Sequence, residues 1–235
     1  MSEPNEPLIL AIETTTRAGS VALARGNEIL CSASGDATAS HSTELIETVE
    51  TILNKAGVEL SEVDLFAAAV GPGSFTGLRI GLATTKSFAV CTGRRCAGVS
   101  TLAAIAHSAG NSDGTVSLLP AGRGELFAQM FSVRDGQARE LDTAAHLSPK
   151  AILEKYGQGQ QLIWAGEGAH LQAEALRAGT ETREIAPPKD QLATSIAALA
   201  LNAYRRGETV SPNDLRAVYV RASDAEINEQ WQREK

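Results

Sequence analysis

Short continuous apolar runs alternate along this chain with stripes of helical period, and their order predicts its elements. Leu8-Ile9-Leu10-Ala11-Ile12 is one such run, ending at Glu13-Thr14-Thr15-Thr16. Ala18-Gly19 turns the chain into Ser20-Val21-Ala22-Leu23-Ala24, and Asn27 precedes Ile29-Leu30-Cys31, so these three segments predict an antiparallel meander. Leu45, Ile46, Val49, Ile52, Leu53 and Ala56 then share one face of a predicted helix, with Glu44, Glu47 and Glu50 toward water and Gly57 closing it. Leu65 to Val70 is again apolar throughout and bounded by turn residues, the pattern of a buried parallel strand.

The segment from Gly71 to Gly81, Gly-Pro-Gly-Ser-Phe-Thr-Gly-Leu-Arg-Ile-Gly, carries the most information. Gly71 and Gly73 permit left-handed or closely approached backbone, Pro72 fixes its own φ, and Ser74 or Thr76 can cap a helix from about Gly77 to Cys91. Leu78, Leu82, Thr85 and Ala89 line one face of that helix, and Ile80, Thr84, Phe88 and Cys91 line another. A helix apolar nearly all round needs two covers. The sheet supplies one, and the other is expected to be a neighbouring helix or a partner subunit, with Gly77, Gly81 and Ala83 letting a second helix approach closely.

Cys96 to Val99 predicts a further strand, with a helix starting near Ser100 to Leu102, and the second half then repeats the β-β-β-α-β-α order. Its strands fall near Thr115 to Leu119, Glu125 to Val133 and Ala138 to Leu141, followed by a helix opened by Ser148-Pro149. A strand at Gln161 to Ala165 and a helix from about Gly168 to Ala178, closed by Gly179, complete the repeat. The expectation is an α/β protein of two duplicated lobes, residues 1–106 and 107–235, with a cleft between them. After Pro187-Pro188, Leu192, Ile196, Leu199, Ala200, Ala203 and Tyr204 mark the clearest helical stripe, with Asp190 as the expected cap and Arg205-Arg206-Gly207 as the stop. An extended tail through Val218-Tyr219-Val220-Arg221 leads to a polar end from Ser223 to Lys235.

A length of 235 residues allows one large domain or two small ones, and the net charge of −7 argues against independent non-specific binding to nucleic acid or an anionic membrane. Yet none of the 28 acidic residues lies between Asp64 and Asp113, while Arg79, Lys86, Arg94 and Arg95 do. A glycine turn at the positive end of a helix, in a stretch without acids, could take an anion or a partner's carboxylate; a core segment would show the same gap. The glycines match neither the dinucleotide fingerprint nor the P-loop, since no acid follows at the right distance and Gly77 precedes Leu78 rather than Lys. Cys31, Cys91 and Cys96 lack metal or redox spacing, and His41, His107, His146 and His170 form no helix-borne ligand pair, so no metal is expected. His41, between Ser40 and Ser42, fits a capping or surface histidine as well as a base. No apolar run reaches membrane-spanning length and residues 1 to 7 are polar and acidic, which leads to the expectation of a cytoplasmic protein.

Gly71 to Gly81, taken with Leu8 to Leu23, His41-Ser42, Gly98-Val99-Ser100-Thr101-Leu102, Gly124-Glu125 and Val218-Tyr219-Val220-Arg221, closely resembles the bacterial TsaB (YeaZ-like) family of tRNA threonylcarbamoyladenosine biosynthesis proteins. The resemblance implies an actin-like, sugar-kinase-like and Hsp70-like fold of two ribonuclease-H-like lobes. It also implies a non-catalytic scaffold without activity of its own. Such a scaffold works with the paralogue TsaD and the ATPase TsaE, which transfer a threonylcarbamoyl group to an adenosine beside the tRNA anticodon. Pairing, with TsaD as a heterodimer or with a second copy as a homodimer, would run through His41, Leu45 and Val49 and through Gly73, Ser74, Phe75, Thr76, Gly77, Arg79, Ile80, Gly81, Thr84 and Phe88. tRNA would be met through the complex, and ATP at the subunit junction. Glu13, Thr14, Arg79 and Lys86 are the candidate nucleotide or anion contacts. Where relatives carry Asp-Ala-Arg, this chain has Pro120-Ala121-Gly122 with Arg123 displaced, and the histidine metal pair of TsaD is absent. An ATP-using enzyme with its site near Glu13 and the Ser20 turn is the alternative, and a peptidase a more distant one.

Overall fold

The computed structural model describes residues 6–36, 41–157, 161–177 and 184–220, apart from the side chains of 41–43. The His41 side chain, Gly179, Arg221 and the end from Ser223 to Lys235 lie outside the described residues. The predicted meander forms from β1 (Leu8–Glu13), β2 (Ser20–Arg25) and β3 (Glu28–Ser34), paired antiparallel. After α1 (His41–Ala56) and a single 3-10 turn come β4 (Leu65–Gly71), parallel to β1, then α2 (Phe75–Thr92) and β5 (Arg95–Ser100), parallel to β4. The first sheet therefore runs β3-β2-β1-β4-β5.

Following α3 (Thr101–Ser108), the second sheet is built from β6 (Ser112–Gly122), β7 (Glu125–Arg134), β8 (Gln137–Glu140), β9 (Ala145–Leu147), β10 (Ile163–Ala165) and β11 (Glu184–Ile185). Its order, β11-β10-β6-β7-β8 with β9 beside β7, repeats that of the first around a central antiparallel hairpin. The duplication inferred from element order is thus a duplication of sheet topology. α4 (Pro149–Tyr156) starts at Ser148, whose hydroxyl accepts the Ala151 N–H. The single helix expected from Gly168 is instead two short ones, α5 (Glu167–Leu171) and α6 (Ala173–Arg177), because the chain leaves helical geometry at Gln172.

α1 and α2 cover the outer face of the first sheet through Leu8, Leu10, Ile12, Val21, Leu23, Phe66 and Val70, and α4 to α6 cover the outer face of the second around Trp164. The middle layer departs from a simple division at residue 106. α3 from the first half lies on the second sheet, and α7 (Leu192–Arg205) from the second half lies on the first, against β1 and β2. α7 is therefore buried on two sides, through Leu192, Ala193, Ser195, Ile196, Ala197, Ala200 and Leu201, while Tyr204 of the expected stripe is exposed. Its start is held by the Ser20 hydroxyl, which accepts the Ala193 N–H at 2.9 Å, rather than by Asp190.

His107 of α3 and Ser195 of α7 meet at 3.0 Å (Nδ1 to Oγ) in this middle layer. Burial holds the imidazole below the ordinary histidine value of about 6.5. The folded chain keeps it neutral while the unfolded chain takes up a proton, so stability contributed by neutral His107 is present above about pH 6.5 and is lost as pH falls from there toward its folded value. His107→Asn is expected to flatten the fall of the thermal midpoint between about pH 7.5 and 5.5. An unaltered slope in that variant would count against this role.

Candidate functional site

β1 delivers Glu13 to the end of the first sheet, where it is 1% exposed. Its carboxylate turns back on its own loop. Oε1 accepts the Thr15 N–H at 2.5 Å, the Thr15 hydroxyl at 2.6 Å and the Thr16 N–H at 2.8 Å, and Oε2 accepts the Thr16 hydroxyl at 2.6 Å. A carboxylate bonded this way organises a three-threonine loop. Thr15 in turn meets the Thr101 hydroxyl at the start of α3, 3.0 Å away.

The glycine turn closes on that loop. Ser74 N–H donates to Thr15 O at 2.9 Å, and a Cβ on Gly73 would lie 2.6 Å from Thr15 Cβ, so the backbone approach requires glycine there. The Ser74 hydroxyl caps α2 by accepting the Gly77 N–H. Two N–H groups expected to face an anion are thus taken by the chain itself.

Gly77 and Gly81 also face inward. Thr14 Oγ1 donates to Gly77 O at 2.7 Å, and a Cβ on Gly81 would stand 2.2 Å from that hydroxyl. The close approach these glycines permit is therefore that of the β1 loop, which corrects the expectation of a second helix. Leu45 and Val49 are likewise buried against the sheet, and Phe88 packs on Phe66 with ring centroids 6.0 Å apart. Ile80 and Thr84 are half-buried, Ile80 against the same core.

What remains open on α2 is Thr76, Arg79, Ala83, Ser87, Val90 and Cys91, with Val90 64% exposed. On α1, Ile46 is 51% exposed although its spacing placed it on the buried face. Ile46 sits at the border of the stripe, where helix rotation decides burial. Sequence reasoning missed Ile46 and Val90 as surface residues, and also Tyr219, which stacks on Phe75.

The four proposed nucleotide or anion contacts do not converge. Glu13 and Thr14 are spent inside the fold, and the Arg79 guanidinium lies 3.8 Å above the Phe75 ring on the outer side of α2. Lys86 is two turns further along, about 10 Å by helix rise. Its charge acts on Cys96, where burial pushes the thiol up to about 11 against the opposing effects of Lys86 and Arg95. Between the lobes lies a cleft of about 420 Å³ whose lining includes Arg17, Ile105, Leu119, His170 and Leu192, without Glu13. Among the described residues no group of three His, Cys, Asp or Glu side chains could hold a metal, and no helix is long and apolar enough to cross a membrane.

Pro120 to Gly122, where the chain departs from its relatives, end β6 at the β6–β7 hairpin. Gly122, Arg123 and Gly124 all have positive φ, making a tight left-handed tip from which Glu125 returns to lie 2.9 Å from His146 Nε2.

Residues 35–227 match the family model described as TsaD, tRNA N6-adenosine threonylcarbamoyltransferase. The tRNA threonylcarbamoyladenosine biosynthesis protein TsaB of Escherichia coli K12 is 30% identical over 227 residues, covering 91% of this chain and 94% of that protein. The chain belongs to the TsaB family. The Haemophilus influenzae TsaB is 27% identical over 225 residues. YeaZ from Pseudomonas aeruginosa superposes on this TsaB-family chain with a TM-score of 0.78 at 28% identity, covering 91% of this chain and 99% of YeaZ. A 2-hydroxyglutaryl-CoA dehydratase component from Acidaminococcus fermentans, at 10% identity and a TM-score of 0.54, shares the fold. The duplicated α/β architecture expected from the order of elements, and the actin-like fold implied by the family resemblance, are those found.

Proposed function

We propose that this TsaB-family chain is a non-catalytic scaffold of tRNA threonylcarbamoyladenosine biosynthesis. It pairs with TsaD through the outer faces of α1 and α2, with TsaE joining the complex and tRNA reached through it. The observation that carries this reading is a contrast within the first lobe. Glu13, the carboxylate that a phosphate-handling relative would need free, is bonded four times within its own loop, whereas Ile46, Ala83, Val90 and Cys91 are left open on neighbouring helices. Phosphoryl and carbamoyl transfer depend on positioned charge, and a single donor can be worth about a hundredfold in rate. On this reading ATP sits at the junction of two subunits.

Size-exclusion chromatography with light scattering tests the scaffold on the full chain, alone, with TsaD, and with TsaD, TsaE and ATP. A heterodimer with TsaD is expected, and Val90→Glu is expected to abolish it while leaving the thermal midpoint of the free chain unchanged, since Val90 touches solvent. Failure to associate in every mixture sinks the scaffold. The interlobe cleft favours one alternative, an ATP-using enzyme, which predicts nucleotide turnover by the purified chain on its own.

A further inference from the structure

The tail, a sequence motif that the scaffold reading leaves without a task, meets the glycine segment at the start of α2. Gly207, with φ of 71°, ends α7 and sends the chain back to the first sheet. Cys96 and Val210 exchange both backbone hydrogen bonds, at 2.9 and 2.8 Å, so the tail is stitched to the edge strand β5. Leu215 is buried in the outer core of the first sheet, and the Val218 N–H donates to Val70 O at 2.8 Å. The Val218 carbonyl then fills the space beside Gly71, where a Cβ would lie 2.7 Å from it.

This path delivers Tyr219 onto Phe75, with ring centroids 5.5 Å apart, while Arg79 lies over Phe75 at 3.8 Å. The backbone is held on both sides, yet the side chains stay open: Val218 is 52% and Tyr219 51% exposed, and Arg79 is exposed as well. A wholly internal role would bury the tyrosine. An exposed ring pair contributes only about 1 kcal/mol, which leaves half of a large side chain in water unexplained.

We propose that Phe75, Arg79, Val218 and Tyr219 form the binding hot spot of the partner interface, docking a protein surface that closes an apolar slot over Tyr219 and offers a carboxylate to Arg79. The proposal rests on the scaffold reading and adds the tail to the interface. Charge argues for that occupant: no carboxylate among the described residues lies within ion-pair distance of Arg79, and the chain has no acid between Asp64 and Asp113. Composition agrees, because tyrosine and arginine are the residues enriched where a few side chains dominate binding. A guanidinium stacked on a ring and a tyrosine whose backbone is tied down lose little freedom when a partner arrives. The apolar content of the patch and the net charge of −7 favour protein over RNA.

The test is the affinity of the full chain for TsaD, measured by calorimetry for the parent and for Tyr219→Ala, Tyr219→Phe, Arg79→Glu and Val90→Glu. Tyr219→Ala is expected to weaken binding about 30-fold or more, the conventional threshold for a hot spot, and Tyr219→Phe by about threefold or less. Arg79→Glu is expected to weaken it with a loss that shrinks as salt is added. Thermal midpoints of the free variants establish that each is folded. If Val90→Glu loses TsaD but Tyr219→Ala and Arg79→Glu bind like the parent, the scaffold stands and the hot spot is overturned. If Tyr219→Ala keeps TsaD and loses only tRNA from the assembled complex, the patch is a nucleic-acid contact instead. A parent chain that never binds TsaD removes both readings.

Discussion

Residues 1–106 expressed alone are expected to show no cooperative thermal transition. All six residues of β1, all seven of β4 and five of the six in β2 are buried, and these strands have two faces to cover. α1 and α2 lie within the fragment and cover one face. The other face, including Ile9, Ala11, Ala22, Ala24, Leu65 and Ala67, is covered by α7, which the fragment lacks. Exposing Ile9 and Leu65 alone forfeits about 3–6 kcal/mol, comparable with the whole stability of many domains, about 5–15 kcal/mol. Circular dichroism on heating, with limited proteolysis alongside, checks it. A sharp transition and a protease-resistant fragment would mean that the first sheet does not need α7. An interface variant therefore has to be tested in the full chain.

The second large effect is expected from Glu13→Ala. Removing the carboxylate takes away the acceptor of four hydrogen bonds, from Thr15 N–H and hydroxyl and Thr16 N–H and hydroxyl, in a place where Thr15 is only 3% exposed. Hydrogen bonds to a charged acceptor contribute about 1.5–3 kcal/mol each, and part of the loss is recovered where water can enter. A net destabilisation of about 3 kcal/mol or more follows, equivalent to a fall of roughly 6–12 °C in thermal midpoint for a chain of this size. Denaturant titration measures it directly. Glu13→Gln, which keeps one acceptor oxygen, is expected to fall between the parent and the alanine variant. Unchanged stability combined with loss of magnesium-dependent nucleotide binding would instead make Glu13 the ligand of an ATP-using site.

Much of this was legible in the residues because it depends on near neighbours along the chain. The apolar runs at Leu8 to Ile12 and Leu65 to Val70 became adjacent parallel strands, Ser74, Ser100 and Ser148 became helix caps, and Gly57 became a left-handed stop. The repeat of element order was enough to anticipate two lobes. The inside and outside of α2 were harder to assign. The periodicity puts Leu78, Leu82, Thr85 and Ala89 on the buried face, where they lie, but it reads Gly77 and Gly81 as room for a second helix, whereas Thr14 packs against both. A glycine's sequence context records that something comes close and not what it is.

The amino-acid sequence by itself therefore determined most of the strands and helices, the serine caps of α2, α3 and α4, and the family, since period, turn chemistry and motif are properties of contiguous residues, whereas the start of α7 and the break at Gln172 escaped it. Only the tertiary structure decided which element covers which face: the placing of α3 and α7 on each other's sheets, the spending of Glu13 on Thr15 and Thr16, and the meeting of Tyr219 with Phe75. Those pairings join residues far apart in sequence: Phe75 and Tyr219 are 144 positions apart, and Ser20 and Ala193, where α7 meets the first sheet, are 173. The path that brings them together is set by where buried surface and backbone hydrogen bonds can both be satisfied, a condition on the whole chain that no local pattern encodes.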